Sequence, residues 1–304
     1  MDGKMLYKPY REFLAEVFPQ FRKVRKMPLN GGMSCPNLDG TKSTHGCSYC
    51  NNKSFSPVWD LAKVSVKDQI AKLLPPLRTK YKDAGILAYF QPYTNTYAPA
   101  EHLREIFAPA VECPDIAGIA VGTRPDCLED DKIALLAEMN REKPVIVEAG
   151  LQTANDDTLR KINRQHTFAD FESAVKRLQG AGLAVTTHLI VGLPGEGMDD
   201  FVRTAREVKR LGVKAAKLHP LHIVRGTRMA EEFSRGEIQL LSFEEYCAAI
   251  AEMIRIFDFE VAVERFSGES PGELLLAPDW CGERDRIIAE VERILRENNE
   301  RAPE

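Results

Sequence analysis

Short apolar runs alternate with longer amphipathic stretches from about residue 20 to about residue 225. Val24 to Leu29, Gly85 to Gln91, Ala117 to Gly122, Pro144 to Leu151, Leu183 to Val191 and Ala215 to Leu221 are rich in apolar or β-branched residues and mostly stopped by Gly or Pro, which predicts strands. Ser65 to Tyr81, Pro99 to Phe107, Glu129 to Asn140, Phe168 to Ala181 and Met198 to Leu211 fill the gaps as helices. In the fourth of these, Phe171, Ala174, Val175 and Leu178 fall at i, i+3, i+4 and i+7 and so share one face. Gly180 and Gly182 then supply its stop.

Six strands alternating with helices predict an α/β fold with a parallel sheet, either open and doubly wound or curled into a partial or complete barrel. Periodicity does not choose between these. In both, ligands bind at the C-terminal ends of the strands, where Gln91, Thr123, Arg124, Gln152, Gly192 to Glu196 and His219 are expected. The two ends read as packing elements. Tyr10, Phe13, Leu14, Val17 and Phe18 make one apolar helical face, as do Ile287, Ile288, Val291, Ile294 and Leu295. A helix Phe243 to Phe257 and an alternating run Phe259 to Phe266 precede the latter. The expected organisation is an N-terminal helical extension over 1–20, a core barrel over 21–225 and an α-rich extension capping it over 226–304.

Composition narrows the class. The 304 residues are 44% hydrophobic and 28% charged, enough for a sizeable core and unlike a disordered or fibrous chain. No apolar run reaches the roughly 20 residues that span a bilayer, and the start MDGKMLYKPYREF lacks the apolar stretch of a signal peptide. No membrane association and a cytoplasmic location are therefore expected. A net charge of −4 gives no global basic field, and the basic runs FRKVRK and RTAREVKRLGVKAAK read as solvated surface.

Cysteine usage is where chemistry enters. Seven cysteines are an odd number at irregular spacing, yet three stand together in CPNLDGTKSTHGCSYC: Cys35, Cys47 and Cys50. The segment is rich in Gly, Pro, Asn, Asp, Ser and Thr and directly follows the first strand, so it is a loop at a strand's C-terminal end. A Cys-x-x-Cys pair can place two thiolates on one metal or cluster, and the third arrives from elsewhere in the loop. Three thiolates suit a 4Fe-4S cluster with one iron lacking a protein ligand. Adding His45 would instead make a closed Cys3His zinc site. Spacing leaves both open.

Further words resolve the choice. GMSCPNLDG, GCSYCN, YFQPYTNTYAP, GTRPDCL, EAGLQT, NRQHT, HLIVGLPGE, KLHPLHIVRGT and APDWC are spread in order from residue 32 to residue 281. Together they resemble the radical S-adenosylmethionine (SAM) enzymes. That superfamily carries three cysteines after the first strand of a (β/α)6 partial barrel, usually spaced x3 then x2. The eleven-residue first gap here resembles the Elongator catalytic subunit and, more closely, short bacterial-type proteins that carry its radical SAM domain without the acetyltransferase.

The resemblance implies cofactors and roles. Cys35, Cys47 and Cys50 would hold three irons of a 4Fe-4S cluster, and the fourth iron would chelate SAM. An external one-electron reductant of flavodoxin or ferredoxin type would supply the electron for reductive cleavage to a 5′-deoxyadenosyl radical. Tyr49 matches an aromatic near the adenine, Gln152 a position at the ribose hydroxyls, and Arg164 one facing the methionine carboxylate. Gln91 stands where relatives have a Gly-Gly-Glu turn for the methionine amino group. Gly192 and Leu193 match the adenine turn. Thr123 carries over from a word in which Gly122 replaces a glutamate. The implied substrate is transfer RNA, at the wobble-uridine side chain. His188, His219 and His222 are read as hydrogen-bonded core or rim histidines, and Cys281 as packing with Trp280. The rival readings are a non-enzymatic zinc or iron-sulfur module that binds nucleic acid or protein, and a phosphate-binding barrel that uses GLPGE.

Overall fold

The alternating pattern winds into strand and helix in strict succession. The structure, a computed structural model, describes residues 5–268 and 270–301. Its elements are α1 (Tyr10–Val17), β1 (Val24–Leu29), α2 (Val66–Lys80), β2 (Gly85–Phe90), α3 (Ala100–Glu112), β3 (Ile116–Thr123), α4 (Asp130–Glu142), β4 (Val145–Gln152), α5 (Asp156–Lys161) and α6 (Phe168–Gly180). There follow β5 (Ala184–Val191), α7 (Met198–Arg210), β6 (Ala215–Pro220), β7 (Ile223–Val224), α8 (Arg228–Ser234), α9 (Phe243–Phe257), β8 (Ala262–Arg265), β9 (Leu275–Ala277) and α10 (Arg284–Arg301). Among the described residues no helix is long and apolar enough to cross a membrane.

Seven parallel strands lie side by side in the order β1-β2-β3-β4-β5-β6-β8 and form a half-barrel covered by helices. Each strand of the predicted six ends within one residue of its expected bounds. Strands β2 and β4 are buried along their whole length, as a sheet packed on both faces requires. Helix α3 runs five residues beyond its expected end, through Pro109, because Ala110 and Val111 are buried against the sheet.

The seventh strand is the difference from expectation. The run after α9 does not lie on the barrel as a cap; it joins the sheet, with Ala215 paired to Ala262 and Ala216 to Val263. The register then slips and Lys217 pairs with Arg265. This bulge lets Glu264 and Arg265 both turn inward. Helix α9 packs against α7 and α10, so it extends the outer helical layer. Upstream, Lys8 and Pro9 run beside the edge of β8, with Val263 N donating to Lys8 O at 2.8 Å.

Inside the sheet, α1 fills the end at which the strands begin. Tyr10, Phe13, Leu14 and Phe18 pack on the inward residues Leu87, Ala120, Ile146, Ala215 and Ala262. Burying an aromatic such as Phe13 or Phe18 contributes about 1.5–3 kcal/mol. Gly118 makes the fit possible, since a Cβ there would come within 2.7 Å of the Phe18 ring.

Candidate active site

The other end of the barrel is open. A chamber of about 240 Å³ lies at the C-terminal ends of the strands, walled on one side by the loop after β1 and on the other by β5, β6 and β8. Cys35, Cys47 and Cys50 all line it. The wide gap between the first two is a closed detour: Lys42 N donates to Pro36 O at 2.8 Å and Gly46 N to Asn37 O at 2.7 Å. Chain positions 36 to 46 thus leave and return to one place, and Cys47 comes back beside Cys35. The last two cysteines share a tight turn, Cys50 N donating to Cys47 O at 3.0 Å.

The cysteines differ in setting. Cys47 is buried and Cys50 exposed, but the surface that Cys50 exposes faces the chamber wall. Burial there, with the charges of Cys47 and Cys35, pushes the Cys50 thiol up to about 12. Three thiols lining one chamber, with Cys50 opposed in its ionisation by the other two, fit a cationic centre that neutralises them. Two donors already address Cys47 Sγ: Asn37 Nδ2 at 3.4 Å and Arg164 Nη1 at 3.6 Å. His45 is exposed and does not line the chamber. Among the described residues no three His, Cys, Asp or Glu side chains converge on a point that would hold a single ion. With His45 outside the chamber that Cys35, Cys47 and Cys50 line, the donor set is three thiolates, which fits a 4Fe-4S cluster and not a Cys3His zinc site.

The other expected residues gather around this loop. Arg164 sits between Asn163 and Gln165, which both have positive φ, 53° and 60°. The kink turns the guanidinium inward, where Nη2 donates to Gly150 O at 2.8 Å and Nε is buried without a partner. Gly150 makes room for it, because a Cβ would lie 2.8 Å from Arg164 and 2.7 Å from the Gln152 amide. Gln152 ends β4 at φ 76°, a strained conformation for a residue with a side chain, and lines the chamber. Gln91 also lines it, its amide donating to Phe55 O at 3.0 Å. Thr123 lies 2.6 Å from the Thr96 hydroxyl, and Tyr49 forms part of the wall. Arg124 is committed to Asp126 through bonds of 3.0 and 2.9 Å.

Gly192 and Leu193 do not line the chamber. Gly192 backs onto Leu241. Leu193 is buried with Leu159, Ile162 and Leu221, a cluster on which Tyr49 rests. Cys281 is buried and does not line the chamber, and Trp280 beside it packs on Phe243 and Tyr246.

Sequence reasoning missed the floor. Glu148 is fully buried and ion-paired to Lys26 at 2.5 Å and Lys217 at 2.6 Å. Lys26 also reaches Glu264 at 2.8 Å, and Lys217 the Tyr89 hydroxyl at 3.0 Å. Burial alone would raise the Glu148 carboxyl, but Lys217 and Lys26 hold it well below the usual carboxylate range. Burial pulls Lys217 down to about 8 against the attraction of Glu148. His188 Nε2 lies 3.0 Å from Glu148, and burial and Lys217 hold this imidazole down to about 4. His219 faces it, ring centres 5.8 Å apart. Tyr89, Glu148, His188, His219, His222 and Arg265 also line the chamber. The signal available was Glu148 and Lys217, each the one acidic or basic residue amid the apolar run of its strand; Lys26 and Glu264 stand beside Arg25 and Arg265 and give no such contrast.

Comparison with known proteins follows this geometry. A family described as the radical SAM superfamily matches residues 40–208, and one described as a radical SAM C-terminal domain matches residues 213–297. The chain is 41% identical over 278 residues to the protein YhcC of Escherichia coli strain K12, covering 91% of this chain and 89% of that one. It is 26% identical over 161 residues to the tRNA uridine(34) acetyltransferase of Methanocaldococcus jannaschii, covering 52% of this chain and 29% of that protein. The solved structure of Elp3 from the archaeon Methanocaldococcus infernus superposes with a TM-score of 0.66 at 17% identity. It covers 91% of this chain, which spans 63% of that one, and it shows a shared fold.

Proposed function

The chain belongs to the radical SAM superfamily, and from that premise we propose that it modifies the wobble-uridine side chain of transfer RNA. It is a radical SAM enzyme whose cofactors are a 4Fe-4S cluster and SAM. Held by Cys35, Cys47 and Cys50, the cluster would supply the electron for reductive cleavage of SAM, and with it the radical chemistry of the family.

The observation that carries the reading is that Cys35, Cys47 and Cys50 line one chamber together with Gln152 and Arg164. The three thiolates hold the cluster. Arg164, with a buried Nε that meets no protein acceptor, offers a permanent charge to a carboxylate. Gln152 offers an amide to ribose hydroxyls, Tyr49 an aromatic face to adenine, and Gln91 and Thr123 oxygens to an ammonium. The electron comes from an external reductant of flavodoxin or ferredoxin type, in the cytoplasm.

Support for transfer RNA is the similarity to tRNA uridine(34) acetyltransferase over 161 residues, 52% of this chain. Leu38 and Phe55, 43% and 38% exposed, stand at the chamber mouth and present apolar surface on which an unstacked base can rest. Mass spectrometry of tRNA nucleosides from a strain lacking the gene tests the reading. A modified wobble uridine that disappears, with a less modified precursor in its place, supports it; an unchanged profile overturns it.

A further inference from the structure

The floor of the chamber carries a hydrogen-bonding polarity set by the protein. Glu148 is held as a carboxylate by two lysines at 2.5 and 2.6 Å. A carboxylate only accepts hydrogen bonds, so the nitrogen of His188 that faces it at 3.0 Å, Nε2, carries the proton. A neutral imidazole has one N–H and one bare nitrogen. The bare nitrogen is then Nδ1, which meets no donor among the described residues although His188 lines the chamber. His188 belongs to β5 and the cysteines to the loop after β1, so the two lie on different parts of the chamber wall.

We propose that His188 is a substrate-binding residue, whose Nδ1, left bare by Glu148, accepts a hydrogen bond from an N–H or O–H of the group being modified. The inference rests on the transfer RNA reading and adds what the recognised end must carry: a donor hydrogen. Glu148 is the positioning residue, through its hold on Nε2. Lys26 and Lys217 act one step further back, by keeping Glu148 charged. A substrate end that presents only acceptors to His188 meets the bare nitrogen lone pair to lone pair and is refused.

The test uses reconstituted holoenzyme with bulk tRNA from a strain lacking the gene as probe. Product formation is compared for wild type, His188→Leu and His188→Asn, with iron content as the control for assembly. Leu removes the acceptor; the Asn side-chain oxygen can take the place of Nδ1. The expected result is a fall of roughly tenfold or more in kcat/KM for His188→Leu, the scale of one unmet buried hydrogen bond, with partial recovery in His188→Asn. Nitrogen-15 histidine spectra of the wild type should show His188 protonated on Nε2, with the Nδ1 resonance moving upfield when tRNA is added. A tautomer protonated on Nδ1, or equal kcat/KM in wild type and His188→Leu, overturns the inference while leaving the tRNA reading intact. A wild-type enzyme indifferent to the tRNA removes the reading and the inference together.

Discussion

Arg164 reaches Cys47 across 117 positions of sequence, its Nη1 lying 3.6 Å from Sγ. The same sulfur receives Asn37 Nδ2 at 3.4 Å, so one of the three sulfurs proposed to hold the cluster is addressed by two donors. Hydrogen bonds to a cluster's sulfur favour the more negatively charged, reduced form. Asn37→Leu and Arg164→Leu should each lower the reduction potential, by about 60 mV if one hydrogen bond of about 1.4 kcal/mol is lost. Redox titration followed by electron paramagnetic resonance reads the shift. A potential that does not move would mean that neither donor engages the bound cluster.

The three cysteines should be inseparable in their effect. Cys35→Ala, Cys47→Ala and Cys50→Ala are each expected to lose stoichiometric iron and the formation of 5′-deoxyadenosine from SAM. His45→Ala, altering an exposed residue outside the chamber, should keep both. Iron analysis and chromatography after anaerobic reconstitution decide it. A zinc-loaded wild type whose metal is lost in His45→Ala would restore the Cys3His reading.

Glu148 should be the most damaging single loss in the floor. With Glu148→Leu, Lys26 and Lys217 remain buried and lose their shared partner. Breaking one side of such a network costs about 3–5 kcal/mol, because the uncompensated charges stay behind. Denaturant unfolding should show that drop. A change below about 1 kcal/mol would show that the lysines find other partners or water.

Acid should weaken the fold in a defined window. Burial and the neighbouring Arg164 hold His166 down to about 3, and burial and Lys217 hold His188 down to about 4. The ordinary histidine value lies near 6.5. Between these values the unfolded chain binds protons that the folded chain refuses, so stability falls as pH drops from about 6.5 toward 4 and is fully present above that range. Glu196 has the opposite sign: burial raises it to about 7, and its contribution is present below about 4.5 and lost as pH rises through 7. Thermal midpoints from pH 8 to pH 4 should fall below pH 6.5, and His166→Gln should reduce that slope. A midpoint independent of pH across this range would contradict the buried neutral imidazoles.

Sequence carried the strands, and the residues around the cysteine loop that line the chamber, further than the floor. The six central strands were legible because a sheet covered on both faces writes nearly continuous apolar runs. The chamber residues were legible because the cysteines and Arg164 sit in loops of distinctive composition and Gln152 ends an apolar strand. Strand β8 was not: its four residues include Glu264 and Arg265, and a short half-charged alternation reads as surface until its partner β6 is known. The role of His188 was hidden for a similar reason. Its tautomer depends on Glu148, 40 positions away, and on two lysines brought in by β1 and β6. Gly192 and Leu193 were drawn toward the site by their place after β5, but packing against Leu241, Leu159 and Ile162 turns them behind the wall.

Helix α1 stoppers the far end of the barrel with Tyr10, Phe13, Leu14 and Phe18. With that end filled, exchange runs from the opposite end of the strands, where Leu38 and Phe55 line the chamber and are exposed. A large guest seated there holds back whatever lies beneath it. Turnover in such a vessel is paced by the last molecule in becoming the first out, and slow release at the mouth would look, in steady-state kinetics, like slow chemistry below.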